Sequence, residues 1–438
     1  MNYKKFDLRY LILLFGLAFI SGCSDSEGND SDNEPTPSVS PNILLIIADD
    51  LGKDAIKGYD EGSIKPNTPH IDLIREDGIK FNNLWVYPTC SPTRASIISG
   101  KYGYKTGVKW ANDEIDLSEQ ILHRYIEEET NGEYATAIVG KWHLSGNNTN
   151  INPEDFGLGY YAGLVRGGVQ NYYQWLLNES GTESQNSEYI TKVFTDKAID
   201  WVNAQSKPWF LWLAYNAPHT PFHVPPGEMH SQGDLPEYEE SLDPMPYYIA
   251  AIEAMDFQIG RLLDEIPNEE LDNTVIIFIG DNGTPNQVAQ SPYSNFKVKG
   301  SLYQGGINVP MFVTGYGVSR RGQDDNLLCS TDLFNTIAEI AGVTVSENND
   351  SQSFTTLFSG DTFERKFQYS EKNDGMGDNS WAISNGTYKL ILDASGNEEM
   401  YDLTIDPYEN ENLLEGTLSS PASEAKEALE EELMNIRN

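Results

Sequence analysis

Five short stretches of the chain are apolar at nearly every position. The first runs from Asn42 to Asp50 (NILLIIADD) and ends in two carboxylates. A strand that is apolar throughout is typical of a parallel sheet, because both faces of such a sheet are covered by helices. The other four stretches are residues 135–139, 209–214, 275–280 and 309–313. The pattern therefore predicts a mostly parallel sheet of buried strands.

Helical periodicity separates several of these stretches. Apolar side chains recur every three or four positions in residues 188–204 and 246–266, so that each segment has one apolar face. A third helix is expected at 331–341, after the last strong apolar stretch. Alternating strands and helices favour an α/β fold in which helices flank both faces of a large, mostly parallel mixed sheet.

The pattern changes after about residue 350. Short segments separated by Asn-Gly, Ser-Gly and acidic turns are typical of antiparallel strands. Such strands are expected at 367–370, 381–391 and 400–403, and a helix is expected at 421–437. We therefore predict a main domain at 41–345 and a small C-terminal α+β subdomain with an antiparallel sheet at 346–438.

The composition indicates a folded protein with a strongly acidic surface. Of the 438 residues, 39% are apolar, which is enough for a substantial core. The chain carries 29 basic and 67 acidic residues, a formal net charge of −38. Such a charge repels phosphate backbones, so we expect no nucleic-acid partner. Three cysteines cannot form a disulfide scaffold, and Cys329 is expected to be a buried small residue.

The N-terminus has the features of a bacterial lipoprotein signal peptide. Basic residues precede an apolar run from Leu11 to Ile20, which is about half the length needed to span a bilayer. The sequence Ile20-Ser21-Gly22-Cys23 follows and resembles a lipoprotein cleavage box, in which Cys23 becomes the lipidated first residue. An ordinary secretory signal followed by a chance cysteine is the alternative.

These features predict where the protein resides. Residues 1–22 are expected to be removed as the signal peptide. Residues 23–40 are polar and acidic without an aromatic side chain, and we expect them to form a disordered tether. The mature protein would then be a bacterial lipoprotein held to a membrane by its lipid anchor. We expect the outer membrane, with the folded domains facing the periplasm or the cell surface.

Polar side chains follow two of the apolar stretches. Asp49 and Asp50 end the first, and Asp281 and Asn282 follow the stretch at 275–280. Ligands of open α/β sheets bind outside the carboxyl ends of the strands. Three carboxylates and an amide oxygen suit a hard divalent ion, Ca²⁺ or Mg²⁺. Taken alone, each pair is also compatible with an ordinary turn.

The segment Cys90-Ser91-Pro92-Thr93-Arg94 resembles the Cys-x-Pro-x-Arg signature of the type I sulfatases, which belong to the alkaline phosphatase superfamily. Further motifs match this family in order. They are Asp49-Asp50, Gly140-Lys141-Trp142-His143, Ala217-Pro218-His219, Asp281-Asn282-Gly283 and the segment from Lys299 to Gly306. The resemblance runs from about residue 41 to 345, and residues 400–407 extend it.

The resemblance implies an alkaline-phosphatase-like fold and a modified residue at position 90. In this family a maturation enzyme oxidises the cysteine to formylglycine, whose hydrate attacks sulfur and displaces an alcohol. The implied metal ion is Ca²⁺, with Mg²⁺ less favoured, held by Asp49, Asp50, residue 90, Asp281 and Asn282. The implied catalytic side chains are Arg94 beside the diol and the metal carboxylates, Lys141 and Lys299 on the sulfate oxygens, His219 as the acid and His143 as the base.

The local sequence around Cys90 also suits an anion. Pro92 is expected at the first position of a helix. Cys90 then lies just before the helix N-terminus, where free N–H groups favour negative charge. Two positions depart from the family. Thr93 stands where Ser is frequent but keeps the hydroxyl, and Gln304 stands where Glu is frequent.

We therefore predict a sulfatase that hydrolyses sulfate esters of polysaccharides or oligosaccharides from algae or host tissue. One alternative is a phosphonate or phosphate ester hydrolase of the same superfamily. Another is a non-catalytic, glycan-binding surface lipoprotein. Aromatic residues at 160–175 predict either a sugar platform or core packing, and His223 is a further candidate for substrate contact.

Overall fold

The computed structural model describes residues 40–148, 151–345, 349–373 and 379–437. Within these ranges, eleven strands form one large sheet. They are β1 (Asn42–Asp49), β2 (Ile79–Trp85), β3 (Ala135–Lys141), β4 (Tyr160–Leu164), β5 (Trp175–Glu179), β6 (Thr182–Asn186), β7 (Trp209–Pro218), β8 (Thr274–Gly280), β9 (Asn308–Gly315), β10 (Gly322–Asp324) and β11 (Leu328–Cys329). Four more strands form a second sheet. They are β12 (Gln368–Asn373), β13 (Asn379–Ser384), β14 (Tyr388–Leu392) and β15 (Glu398–Asp402).

Helices cover both faces of the large sheet. The bounds of the helices are α1 (Pro69–Glu76), α2 (Cys90–Ser99), α3 (Gly103–Thr106), α4 (Leu122–Glu129), α5 (Ile190–Asn203), α6 (Met245–Glu265), α7 (Asn268–Leu271), α8 (Gln304–Ile307), α9 (Asp332–Ile340) and α10 (Ser420–Arg437). Of these, α2, α4 and α9 lie in one core and α1, α5 and α6 in the other. The helix α10 packs instead against β13 and β14 of the small sheet. The predicted helices at 188–204, 246–266, 331–341 and 421–437 are α5, α6, α9 and α10. The predicted α/β fold is confirmed.

Strand β1 lies at the centre of the large sheet, where it is parallel to β7 on one side and to β8 on the other. Its side chains alternate between two cores. Leu45 packs in the core that contains Ile97 of α2, and Leu44 packs in the core that contains Ile252 of α6. This two-sided burial is the reason that the strand is apolar throughout.

Two features differ from the sequence prediction. Strand β9 is antiparallel to both of its neighbours, β2 and β8, because apolarity indicates burial but not strand direction. The predicted single segment at 381–391 is two strands, β13 and β14. They are divided at Asn385 and Gly386, where Gly386 adopts φ +87° and the Asn385 side chain accepts hydrogen bonds from the following backbone.

A lysine of the small sheet helps to fix the loop that precedes β9 of the large sheet. On β14, Lys389 donates hydrogen bonds to the carbonyl of Leu302 (2.6 Å) and to Glu409 Oε1 (2.5 Å). The other oxygen of Glu409 accepts from the backbone N–H of Gln304 at 2.6 Å. Both charged side chains are buried, with relative exposures of 0% and 1%. The pair therefore fixes the 299–306 segment to the C-terminal part of the chain.

Residues from Ser40 onward form one compact unit, so the boundary between 345 and 346 remains a prediction from sequence pattern. The predicted signal peptide, Cys23 and the tether as far as residue 39 lie outside the described residues. In the part of the chain that is described, no helix combines the length and apolarity needed to cross a membrane.

We expect Lys389→Met to destabilise the fold strongly. The substitution leaves the Glu409 carboxylate buried without its cation, a loss of about 3–5 kcal/mol for a broken buried pair. Equilibrium denaturant unfolding measures the change. As a control, Lys192→Met removes a half-exposed lysine paired with Glu188 and Asp196, and it should cost about 0–1 kcal/mol. Equal effects of the two substitutions would contradict the stabilising role of the buried pair.

Candidate active site

The predicted metal ligands meet at the carboxyl ends of two adjacent parallel strands. Asp49 is the last residue of β1, and Asp281 and Asn282 directly follow β8. Asp50 adopts φ +68°, its backbone N–H donates to Asp281 Oδ1 at 3.0 Å, and its side chain accepts from Asn282 Nδ2 at 2.8 Å. All four side chains are buried. Because β1 and β8 are neighbours, their polar ends converge as the sequence predicted.

Cys90 lies beside these carboxylates at the first residue of α2. One oxygen each of Asp49 and Asp281 lies within 4.8 Å of its Sγ, which stands here for the reactive group of a modified residue. The prediction that Pro92 begins the helix was wrong, because the helix starts two residues earlier. Proline is tolerated there because the first N–H groups of a helix have no acceptor within it.

The environment of Cys90 does not activate a thiol. Burial raises the pKa of Cys90 to about 11, although the charge of Lys141 opposes this shift. A thiol with this pKa is protonated at neutral pH, whereas thiolate is the nucleophilic form. Unmodified Cys90 is therefore poorly suited to act as a cysteine nucleophile.

Two buried cationic side chains contact the carboxylates. Arg94, also on α2, donates to Asp281 Oδ2 at 2.7 Å and to the carbonyl of Lys141 at 2.8 Å. The Lys141 ammonium lies 2.6 Å from Asp49 Oδ2 and 3.3 Å from Cys90 Sγ. Burial is the largest influence and would lower the pKa of Lys141, but the charges of Asp49, Cys90 and Asp281 together outweigh it and raise that pKa. Both side chains are therefore cationic and in place.

Two further groups lie nearer the solvent. Lys299 Nζ contacts Asp50 Oδ2 at 2.5 Å, and His219 Nε2 lies 3.7 Å from the same oxygen. Their side chains are 24% and 18% exposed, whereas Asp50 is buried. The Nδ1 atom of His219 lies 2.6 Å from the Thr220 carbonyl oxygen. Because a carbonyl only accepts, the neutral ring carries its proton on Nδ1, and Nε2 faces the site. Both groups can therefore reach an entering substrate.

His143 lies two residues after the end of β3, with φ +60°. Its Nε2 atom lies 3.0 Å from Asn112 Oδ1, while Nδ1 is buried without a hydrogen-bond partner among the described residues. Burial and the charge of Lys141 hold the pKa of His143 well below its usual range. The ring is therefore neutral near pH 7 and can accept a proton.

The carboxylate cluster is suited to a divalent cation. Asp49 Oδ1 and Asn282 Oδ1 are buried and have no hydrogen-bond partner in the described residues. Burial raises the pKa of Asp281 to about 7, and the charge of Asp49 adds to this effect. Burial also acts to raise the pKa of Asp49, but the cations around it outweigh burial and lower that pKa. Unpaired oxygens and mutually repelling carboxylates are what a hard cation would satisfy.

The structure brings all ten predicted site residues together. They are Asp49, Asp50, Cys90, Arg94, Lys141, His143, His219, Asp281, Asn282 and Lys299. Their catalytic roles remain predictions. The sequence analysis did not single out Asn112. It lies in a polar turn with no motif of its own, and only the fold places it against His143.

The aromatic residues at 160–175 pack against the hydrophobic cores. Tyr161, Tyr172 and Trp175 are buried, so these three form no sugar platform. Tyr160 and Tyr173 pack against a core but are only partly buried. The ring of His223 stacks on Tyr172 at 3.6 Å, and its two nitrogens lie 2.9 Å from the Pro221 carbonyl and 3.1 Å from Tyr189 Oη. His223 is thus held by its neighbours, and its contact with substrate stays a prediction.

Comparison with known proteins agrees with this geometry. The sequence model of the Sulfatase family matches residues 41–343. A second model, for the C-terminal region of N-sulphoglucosamine sulphohydrolase, matches residues 295–438. The first match covers well over half of the chain, and the chain therefore belongs to the sulfatase family.

Individual relatives are distant in sequence. The uncharacterised sulfatase YdeN of Escherichia coli (strain K12) is 27% identical over 369 residues, covering 70% of this chain and 64% of YdeN. The chain thus spans slightly less than two thirds of YdeN. The N-acetylgalactosamine-6-O-sulfatase of Bacteroides thetaiotaomicron is 24% identical over 508 residues, covering 92% and 95% of the two chains.

A solved structure shows the same fold. The crystal structure of Ps i-CgsB in complex with k-i-k-neocarrahexaose superposes with a TM-score of 0.76 at 25% identity. The match covers 90% of this chain and 92% of that protein. The alkaline-phosphatase-like sulfatase fold predicted from the motifs is therefore confirmed.

Removal of a bound divalent cation should lower the thermal stability of the enzyme. An ion that binds only the folded state at a hundred times its dissociation constant stabilises it by about 2.7 kcal/mol. Scanning calorimetry with a chelator and with added Ca²⁺ measures the shift. In Asp281→Ala, one of the oxygen ligands is gone, so the chelator should have little effect. A thermal unfolding midpoint of the wild type that changes with neither chelator nor Ca²⁺ would contradict the metal site.

Proposed function

We propose that the protein hydrolyses sulfate esters of sulfated polysaccharides or oligosaccharides, releasing inorganic sulfate and an alcohol. The observation that carries this proposal is the position of Cys90. It lies at a helix N-terminus against Lys141 and within reach of the Asp49 and Asp281 carboxylates. A relative named N-acetylgalactosamine-6-O-sulfatase and a structural neighbour in complex with k-i-k-neocarrahexaose support a glycan as the substrate.

Residue 90 is proposed to be formylglycine, made by a separate maturation enzyme. When hydrated, this group supplies a diol whose oxygen attacks sulfur and whose second hydroxyl allows the sulfate to be released. Arg94 neutralises negative charge near the diol through its contacts with Asp281 and the Lys141 carbonyl. A plain serine or cysteine would instead remain trapped as a stable sulfated residue.

Lys141 and Lys299 are proposed to bind the sulfate oxygens. Lys141 lies deep in the site beside Cys90, and Lys299 lies at the entrance beside Asp50. An ester sulfate that enters from the solvent side would meet one ammonium on each side. Preorganised donors of this kind contribute about 3–4 kcal/mol each when they are aimed at developing charge.

The two histidines are proposed to have opposite roles. His219 is partly exposed with Nε2 facing the entrance, where the leaving alcohol oxygen would lie. When the ring is doubly protonated, Nε2 carries a proton for the leaving group, and His219 is therefore the proposed acid. His143 is almost fully buried and holds an unpartnered Nδ1. It suits the base that takes a proton during sulfate release.

Ca²⁺ is the proposed ion, in preference to Mg²⁺. Asp49, Asp50, Asp281 and Asn282 offer only oxygen atoms from a rigid protein cage, together with the oxygen of residue 90. Mg²⁺ usually keeps several water ligands, whereas Ca²⁺ accepts about six to eight oxygen ligands in flexible geometry, many of them from protein groups. A cage made largely of protein ligands therefore favours the larger ion.

We also propose that the mature enzyme is lipidated on Cys23 and anchored to the bacterial outer membrane. The basis is the N-terminal sequence, in which a short apolar run ends at Ser21-Gly22-Cys23. A polymer substrate that cannot enter the cell would be reached from such a location. Metabolic labelling with a fatty acid, with Cys23→Ala as the control, would test it.

Active preparations are expected to contain formylglycine at position 90. Peptide mass spectrometry should show the aldehyde in protein made with a maturation enzyme and the thiol in protein made without it. Activity should follow the aldehyde fraction, and Cys90→Ala should be inactive on every substrate. Fully active protein that contains only the Cys90 thiol would overturn this mechanism.

The His219→Ala variant should discriminate between leaving groups. A sugar alkoxide needs a proton in the transition state, whereas a nitrophenolate leaves without help. The variant should therefore lose kcat/KM on a sugar sulfate more than on nitrophenyl sulfate, by on the order of 10²-fold. His143→Ala should damage both substrates alike, because sulfate release is common to them. Equal losses on both substrates for His219→Ala would make Lys299 the better candidate for the acid.

Substrate class can be tested with a panel of defined compounds. The panel should contain sulfated oligosaccharides, the matching unsulfated sugars, and phosphate and phosphonate esters of the same alcohols. Sulfate release from at least one oligosaccharide, at higher kcat/KM than any phosphorus ester, is expected. Binding of glycans without any turnover would support the non-catalytic alternative.

A further inference from the structure

The ring of His143 is held on two sides. Its side chain is buried, whereas that of His219, the predicted acid, is partly exposed. A Cβ atom placed on Gly167 would lie 1.9 Å from His143 Nε2, so the backbone at Gly167 packs directly against the ring. Any larger residue at position 167 would displace the imidazole. The plane of the ring is therefore set by the packing of the 164–168 loop.

Asn112 contacts the edge of the same ring. Its Oδ1 lies 3.0 Å from His143 Nε2. Asn112 is itself fixed, because its backbone N–H donates to Ser91 Oγ at 3.1 Å and its φ of +68° lies in the region that asparagine tolerates better than most residues. Ser91 directly follows Cys90. The turn that carries Asn112 is thus tied to the segment that carries the reactive residue.

An amide oxygen accepts hydrogen bonds but cannot donate them. The imidazole nitrogen that faces Asn112 Oδ1 must therefore carry the proton of the neutral ring. The other nitrogen, Nδ1, then has a free lone pair, and it is the atom that is buried without a partner. In histidine sites the hydrogen bond made by one ring nitrogen sets the state of the other.

We propose that Asn112 is a positioning residue that fixes the Nε2–H tautomer of His143, so that Nδ1 is the proton-accepting atom in the site. This inference rests on the proposed sulfatase function and adds the identity of the basic atom and of the residue that selects it. Among the described residues, the Asn112 side chain forms a hydrogen bond with His143 and none with the predicted metal ligands or residue 90. Asn112 therefore acts through His143.

In the proposed sulfate release, the free hydroxyl of a hydrated formylglycine at position 90 would give its proton to Nδ1. The electron pair of that O–H bond would complete the carbonyl double bond. Sulfate leaves with the electron pair of its bond to carbon. The imidazolium formed carries protons on both nitrogens, and Asn112 still accepts from Nε2. Loss of the Nδ1 proton to water then restores the starting tautomer.

Nitrogen NMR of the purified enzyme, labelled in its histidine rings, tests the tautomer directly and needs no turnover. The chain has six histidines, and the His143→Ala spectrum identifies the signals of His143. We expect a neutral ring with a protonated Nε2 and a bare Nδ1. A neutral ring protonated on Nδ1 would overturn the proposal, whatever the activity of the enzyme.

Substitutions at position 112 test the role of the amide oxygen. Asn112→Asp can present only an acceptor, so it should keep the His143 tautomer. A changed tautomer in Asn112→Asp would show that the amide nitrogen faces the ring in the wild type, and this would also overturn the proposal. Asn112→Gly accepts the positive φ but has no acceptor, so the Nε2 proton should exchange faster with water.

The kinetic readouts separate positioning from general damage. Removing a partner that orients a functional histidine typically lowers activity about 10- to 100-fold. We therefore expect kcat to fall by at least about tenfold in Asn112→Gly and to recover in Asn112→Asp. Adding Asn112→Gly to His143→Ala should cause no further loss. Asn131→Gly, at another exposed position with positive φ, should leave activity unchanged. A full additional loss in the His143→Ala background would refute the positioning role.

Discussion

The site depends on one electrostatic constraint, which is the burial of three carboxylates at neighbouring strand ends. Asp49, Asp50 and Asp281 are each almost fully buried, and carboxylates that are so close together cannot all remain charged without nearby cations. Arg94, Lys141 and Lys299 supply three positive charges at contact distance. A divalent cation on the same oxygens would take over this role and leave both lysines for an anionic substrate.

The charged side chains of this cluster come from distant parts of the chain, and different elements of the fold position them. The carboxylates lie on two central strands and are positioned by the sheet itself. Lys299 lies on a loop, and that loop is fixed from the C-terminal side by the buried Lys389–Glu409 pair. The small sheet therefore contributes to the site without placing a predicted catalytic side chain in it.

The two histidines show how burial separates chemical roles. Both rings have pKa values below the ordinary one because of burial, but His219 retains access to solvent and lies near Asp50. His143 is enclosed, faces cations, and keeps one bare nitrogen. A group at the entrance can meet the leaving alcohol, whereas an enclosed base can serve only groups already bound. Since both residues are histidines, their burial and position in the site distinguish the proposed acid from the proposed base.

The sequence by itself determined the fold class, the site and the family, because uninterrupted apolar strands and polar strand ends are local patterns and the Cys90 motif is contiguous. It did not determine the antiparallel direction of β9 or the division at Asn385 and Gly386, since burial carries no information on strand direction and turns depend on backbone geometry. Only the tertiary structure placed Asn112 against His143 and buried Tyr172 under His223. Contacts between residues distant in sequence leave no local pattern, because they arise from how the elements pack.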